Sequence, residues 1–106
     1  MIQETPEAII KRTIGRHLNL DQSFVFLFGS RATGTASPAS DYDIGLYSGK
    51  EIPLAVLAKI NGELEDYPIP VDIDLVDFSS VSKEFKEIAL RKVTIWNTPK
   101  NGLRLI

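Results

Sequence analysis

Cysteine does not occur in this 106-residue sequence, and histidine occurs once, at His17. The first absence excludes disulfides, thiolate catalysis and thiolate metal sites. The second excludes any site with two histidine ligands, so a bound metal must be held by oxygen. Long hydrophobic runs are missing too: no segment approaches the length of a bilayer span, and the opening MIQETPEAIIKR is too polar for a secretory leader. A cytoplasmic protein with no membrane partner is expected. Nor is there an excess of one charge, since 12 basic and 14 acidic side chains leave a net charge of -2. Such a balance gives no general attraction to nucleic acid, and no direct nucleic-acid contact is expected. Repeats and low-complexity tracts are lacking as well. The six prolines and seven glycines fall between periodic segments. One domain over 1–106 is expected, with a single core and no room for a separate substrate domain.

What is present is a regular alternation of elements. Thr5 and Pro6 make a helix start, and Ile9, Ile10, Thr13, Ile14 and Leu18 follow at helical spacing. SFVFLF, 23–28, reads as a strand buried on both faces and stopped by Gly29. DYDIGLY, 41–47, alternates with period two, placing Tyr42, Ile44 and Leu46 on one face and Asp41, Asp43, Gly45 and Tyr47 on the other. A helix from Pro53 carries Leu54, Leu57, Ala58 and Leu64 on its buried side, with Gly62 weakening its last turn. VDIDLVDF, 71–78, predicts a third strand, then serine caps lead a helix with Val81, Phe85, Ile88 and Ala89, and VTIW closes the chain as a strand.

The stretch GSRATGTASPASDYD, 29–43, carries the chemistry. Aspartates at i and i+2 leave one face of a strand with Cα atoms roughly 6.5–7 Å apart, close enough for their side chains to converge on one or two ions. Neighbouring carboxylates repel and resist desolvation, so a cluster of Asp41, Asp43 and Asp74 needs open solvent or a cation. Mg²⁺ suits it, because that ion takes oxygen ligands from one or two carboxylates, waters and substrate phosphates. At the other end, Gly29 permits a tight turn after a buried strand, and a following helix presents free N–H groups to an anion. Ser30 adds a hydroxyl there, Arg31 adds a cation, either as a substrate contact or as half of a surface salt bridge, and RATGTA reads as about two helical turns. Phosphate at one end and metal at the other imply a nucleoside triphosphate.

Gly29-Ser30, ten intervening residues, then Asp41-Tyr42-Asp43 resembles the signature of DNA polymerase β-like nucleotidyltransferases. With the trailing VDIDLVDFSSVSKEFKEIAL, the chain resembles the minimal nucleotidyltransferases, or MNT proteins, over nearly its whole length. Four fixed residues at ordinary frequencies of about 5–7% each would meet by accident in about one such chain in a thousand. The resemblance implies an α+β fold, a mixed β-sheet with helices packed mainly on one face. It also implies a nucleotidyltransferase using two Mg²⁺ ions and ATP: Asp41, Asp43 and Asp74 as metal ligands, Asp74 also as base, and Gly29 and Ser30 gripping the triphosphate. Such proteins are commonly encoded beside a HEPN-type toxin and act as antitoxins by transferring AMP to a toxin tyrosine. The rival is a catalytically weak module that neutralises the toxin by occlusion. Transfer to a small molecule belongs to larger relatives with an acceptor-binding domain. Many relatives carry a second arginine where this chain has Thr33, which implies a weaker triphosphate grip.

Other residues have plainer readings. Asp72 shares the strand face of Asp74 and is its rival as third ligand. Asp77 points to the opposite face, as a strand-end or cap residue, and His17 complements a helix C-terminus. Trp96 and the Phe24, Phe26, Phe28 stripe read as core. Tyr47 either flanks the nucleotide or occupies an unremarkable rim position. A homodimer and a hetero-oligomer both remain open.

Overall fold

The computed structural model describes residues 4–106. Thr5 accepts a hydrogen bond from the Ala8 amide (3.2 Å), and helix α1 runs over Pro6–His17. Strand β1 is Phe24–Phe28, and a short helix, α2, covers Ser30–Thr33. Strand β2 is Tyr42–Tyr47, followed by helix α3, Leu54–Glu65, and strand β3, Ile73–Asp77. Helix α4, Lys83–Ala89, starts from a Ser82 cap and leads to β4, Thr94–Asn97.

The four strands form one mixed sheet in the order β3-β2-β1-β4. β1 pairs antiparallel with β2 and with β4, whereas β2 and β3 are parallel and joined by the α3 crossover. All five residues of β1 are buried because both of its faces are covered. Val25 and Leu27 join Ile44 and Leu46 under Ile10 and Ile14 of α1 and Ile60 and Leu64 of α3. Phe24, Phe26 and Phe28 cluster with Phe78 on the opposite face, at ring separations of 4.8 Å for Phe26–Phe78 and 5.1 Å for Phe28–Phe78. Phe85 of α4 closes that cluster edge-on to Phe28. Two long helices on one face and one short helix on the other give the expected α+β architecture.

Two local expectations change. The buried stripe of α3 runs through Leu57, Ile60 and Leu64, with Val56 beside it, whereas Leu54 is 77% exposed and Ala58 is also exposed. Leu54 opens the helix, before the turns that reach the sheet. The helix after Gly29 lasts about one turn rather than two, because Gly34 adopts a left-handed conformation (φ 83°) and its amide closes onto the Ser30 carbonyl (3.1 Å).

Candidate active site

Three strand ends meet at one rim of the sheet. Phe28 ends β1 opposite Asp43 of β2, and Asp43 is in turn the register partner of Asp74 in β3. Side chains at paired positions share a face, so Asp43 and Asp74 lie side by side at the edge of the aromatic cluster. Gly29, the next residue after Phe28, is thereby brought onto Asp43. Its backbone (φ 71°, ψ -154°) lies where only glycine is comfortable, and a Cβ there would stand 2.2 Å from Asp43 Oδ2. The turn that ends β1 and the carboxylate that begins β2 are thus in contact. Ser30 follows as the first residue of α2, in which the Ala32 and Thr33 amides donate to the Gly29 carbonyl (3.0 and 3.1 Å), while the Ser30 and Arg31 amides lie too early in the turn for a helical acceptor.

Asp41 sits outside the strand rather than in it. The β2–β3 ladder begins one residue later, where the Tyr42 amide donates to the Asp72 carbonyl (3.0 Å). Asp41 and Asp74 are exposed, and Asp43 is half-buried. Burial, then the nearby charges of Asp74 and Asp41, push the Asp43 carboxyl above its usual range. Among the described residues no three acidic or histidine side chains are already drawn around one point. The three aspartates share a rim, and their all-oxygen donor set suits a hard divalent cation. Asp72, the rival third ligand, is also exposed beside them.

Arg31, read from the sequence as a substrate contact or as half of a surface salt bridge, engages the backbone of its own loop. Its Nε and Nη2 donate to the Ser40 carbonyl (3.2 and 2.7 Å), and the guanidinium lies 4.0 Å from the centre of the Tyr42 ring. It therefore fixes the connection between α2 and β2. Tyr42 is itself anchored from the far side, where its hydroxyl donates to Glu7 of α1. Burial and that bond push the Tyr42 hydroxyl up to about 12.

The remaining candidates are accounted for by packing. Asp77, on the opposite face as expected, accepts hydrogen bonds from the buried Ile52 amide (2.8 Å) and from the Ser79 amide and hydroxyl (3.0 and 2.7 Å). Tyr47 lies at the other end of β2 from Asp43, opposite Phe24 and under the Lys86 ammonium, so it does not flank the carboxylates. His17, at the end of α1, bonds Glu63 of α3 (2.6 Å). Trp96 packs against the core beneath Lys11. One residue was missed: Gly45, facing the aromatic cluster between Asp43 and Tyr47, where a Cβ would fall 2.2 Å from the Phe26 ring. Its signal was present, since a glycine inside a strand often marks a close approach.

A glycine-serine turn in contact with Asp43, beside Asp74, joins an anion-binding turn to oxygen ligands for a cation. The family model described as Polymerase beta, Nucleotidyltransferase matches residues 10–101, and the chain belongs to that family. Among its relatives is a probable protein adenylyltransferase MntA of Haemophilus influenzae, 30% identical over 92 residues, a match covering 87% of this chain and 79% of that protein. A crystal structure of a toxin-antitoxin with AMP-PNP superposes with a TM-score of 0.69 at 25% identity, over 87% of this chain and 73% of the other. A structure of a tri-AMPylated Shewanella oneidensis HEPN toxin in complex with MNT antitoxin gives a TM-score of 0.60 at 19% identity, over 89% of this chain and 74% of the other, a likeness of fold.

Proposed function

We propose that this chain is an antitoxin that transfers AMP from ATP to a protein hydroxyl, the acceptor being a tyrosine of a HEPN-type toxin. The observation that carries the reading is the contact between Gly29 and Asp43, with Asp74 in register beside it. It supports the reading because a turn suited to an anion lies against the carboxylate of Asp43. The MntA relative and the toxin-antitoxin structure with AMP-PNP support the partner and the nucleotide.

In this mechanism Gly29 and Ser30 hold the triphosphate through the first turn of α2. Asp41, Asp43 and Asp74 would hold Mg²⁺, which would supply charge neutralisation at the reacting oxygens. Asp74 is exposed and so can receive the proton of an incoming hydroxyl. The acceptor oxygen bonds to the α-phosphorus, the bond from that phosphorus to the β-phosphate bridge breaks, and pyrophosphate departs with the electron pair. Arg31 positions the loop carrying Asp41 through its bonds to the Ser40 carbonyl.

Incubation with MgATP and the product of the neighbouring gene, followed by intact mass measurement and peptide mapping, tests the reading. The partner is expected to gain AMP on tyrosine. Asp41→Asn and Asp43→Asn should each abolish the gain without loss of the folded circular-dichroism spectrum, and Asp74→Ala should cost far more activity than Asp72→Ala. A partner that is inhibited in a stable complex yet unmodified would overturn transfer in favour of occlusion.

A further inference from the structure

Beside β3 and the end of α3 lies a cleft of about 350 Å³. Leu64 and Glu65 line it from α3, Tyr67 and Ile69 from the turn that follows, and Asp72 and Asp74 from the entry to β3. The cleft therefore opens onto the carboxylate assigned above as the base. Among the described residues its lining carries the carboxylates of Glu65, Asp72 and Asp74 and no lysine or arginine, with Arg12 reaching the Tyr67 hydroxyl at its border (3.4 Å).

β3 is also an edge of the sheet. The Tyr42 amide donates to the Asp72 carbonyl, and the Phe78 amide donates to the Leu46 carbonyl (2.9 Å). In a parallel ladder the residues bonded to one neighbour alternate along the strand. The backbone groups of Asp72, Asp74 and Val76 thus turn towards β2, and those of Ile73 and Leu75 turn outward. Such an edge is a template for a further strand.

We propose that the outer edge of β3 and this cleft form the acceptor-docking groove, in which an extended, basic segment of the acceptor protein adds to the sheet and brings its hydroxyl to Asp74. The proposal rests on the transfer reaction proposed above and specifies which polypeptide that site takes. Backbone bonds to Ile73 and Leu75 give the segment its direction and register. Arginine or lysine residues beside the acceptor tyrosine meet Glu65 and Asp72, while an apolar neighbour meets Leu64 and Ile69. An acidic segment would place like charges against the same wall and is disfavoured.

The test uses the full chain and three synthetic tyrosine peptides: one flanked by arginines, one flanked by glutamates, and the arginine peptide N-methylated at alternate residues. Amide exchange followed by NMR is expected to show that the arginine peptide slows the Ile73 and Leu75 amides at least about tenfold. The other two peptides should leave them unchanged. Modification from MgATP should follow the same ranking, and Glu65→Lys should erase the preference for arginine, with the MgATP-induced rise in melting temperature reporting on the nucleotide end. A peptide that is modified without protecting these amides, or equal protection by all three, overturns the groove. Protection by the arginine peptide with no AMP gained by any peptide or by the partner supports the groove and overturns the transfer reaction instead.

Discussion

Gly29 and Asp43 touch: an added Cβ on the glycine would stand 2.2 Å from Oδ2 and 3.0 Å from Cγ of the aspartate. Gly29 is thus constrained twice, once by its positive φ of 71° and once by its neighbour. Gly29→Ala is expected to lose about 1–3 kcal/mol of stability from backbone strain. Because the Asp43 side chain must move aside, nucleotidyl transfer should fall about a hundredfold, the scale of a misplacement near 1 Å. Urea denaturation and initial-rate measurements check the two effects separately. A variant with wild-type rate would show that this contact does not position Asp43.

Asp43 offers a test through pH. Its carboxyl titrates above the ordinary value because of burial and the charges of Asp74 and Asp41. Between the unfolded and folded titration points the folded chain binds more protons than the unfolded chain, so stability falls as pH rises through that window. The window opens near the unfolded aspartate value of about 3.9. In metal-free buffer, Asp43→Asn should melt no lower than wild type at neutral pH and should lose this part of the pH dependence. Added Mg²⁺ should raise the melting temperature of wild type more than that of the variant. A variant that melts well below wild type without metal would make Asp43 a structural residue.

Asp77 should behave in the opposite way. It is buried and accepts from the Ile52 amide and from both Ser79 donors. Asp77→Ala leaves a buried N–H without an acceptor, at a cost of about 1–3 kcal/mol. Transfer per folded molecule should change little. A large drop in kcat with unchanged stability would move Asp77 into the reaction site.

Gly45 is the steric counterpart on the aromatic face. Alanine there would meet the fully buried Phe26 ring at 2.2 Å, and overpacking of this kind costs about 1–3 kcal/mol. Gly45→Ala should lower the denaturation midpoint with an unchanged m-value. Unaltered stability would mean that the Phe26 ring can yield within its cluster.

The elements and the site were legible to different depths. Gly29-Ser30 and Asp41-x-Asp43 stand out because their distinctive residue types recur at fixed spacing, and β1 stands out because five consecutive apolar residues demand cover on both sides. The pairing of Asp43 with Asp74 joins positions 31 residues apart, and alternation alone leaves open whether the sheet sets their strands side by side. The role of Arg31 was not legible, since a guanidinium looks the same in sequence whether it meets a phosphate or the Ser40 carbonyl. The departure of Asp41 from β2 was likewise hidden, because alternation continues through Asp41 while the ladder begins only with the Tyr42 amide. Gly45 became informative once Phe26 was seen as its partner.

The bond from Arg31 to the Ser40 carbonyl has a thermodynamic consequence for nucleotide binding. The connection from Thr35 to Ser40 contains neither helix nor strand, yet it leads directly into Asp41. Left free, each of its residues would lose about 1–2 kcal/mol of backbone entropy on being ordered. A guanidinium seated on Tyr42, which is itself tied to Glu7, restrains the loop from outside. The ordering is therefore completed when the chain folds, and an incoming nucleotide would meet a carboxylate whose approach is already preorganised.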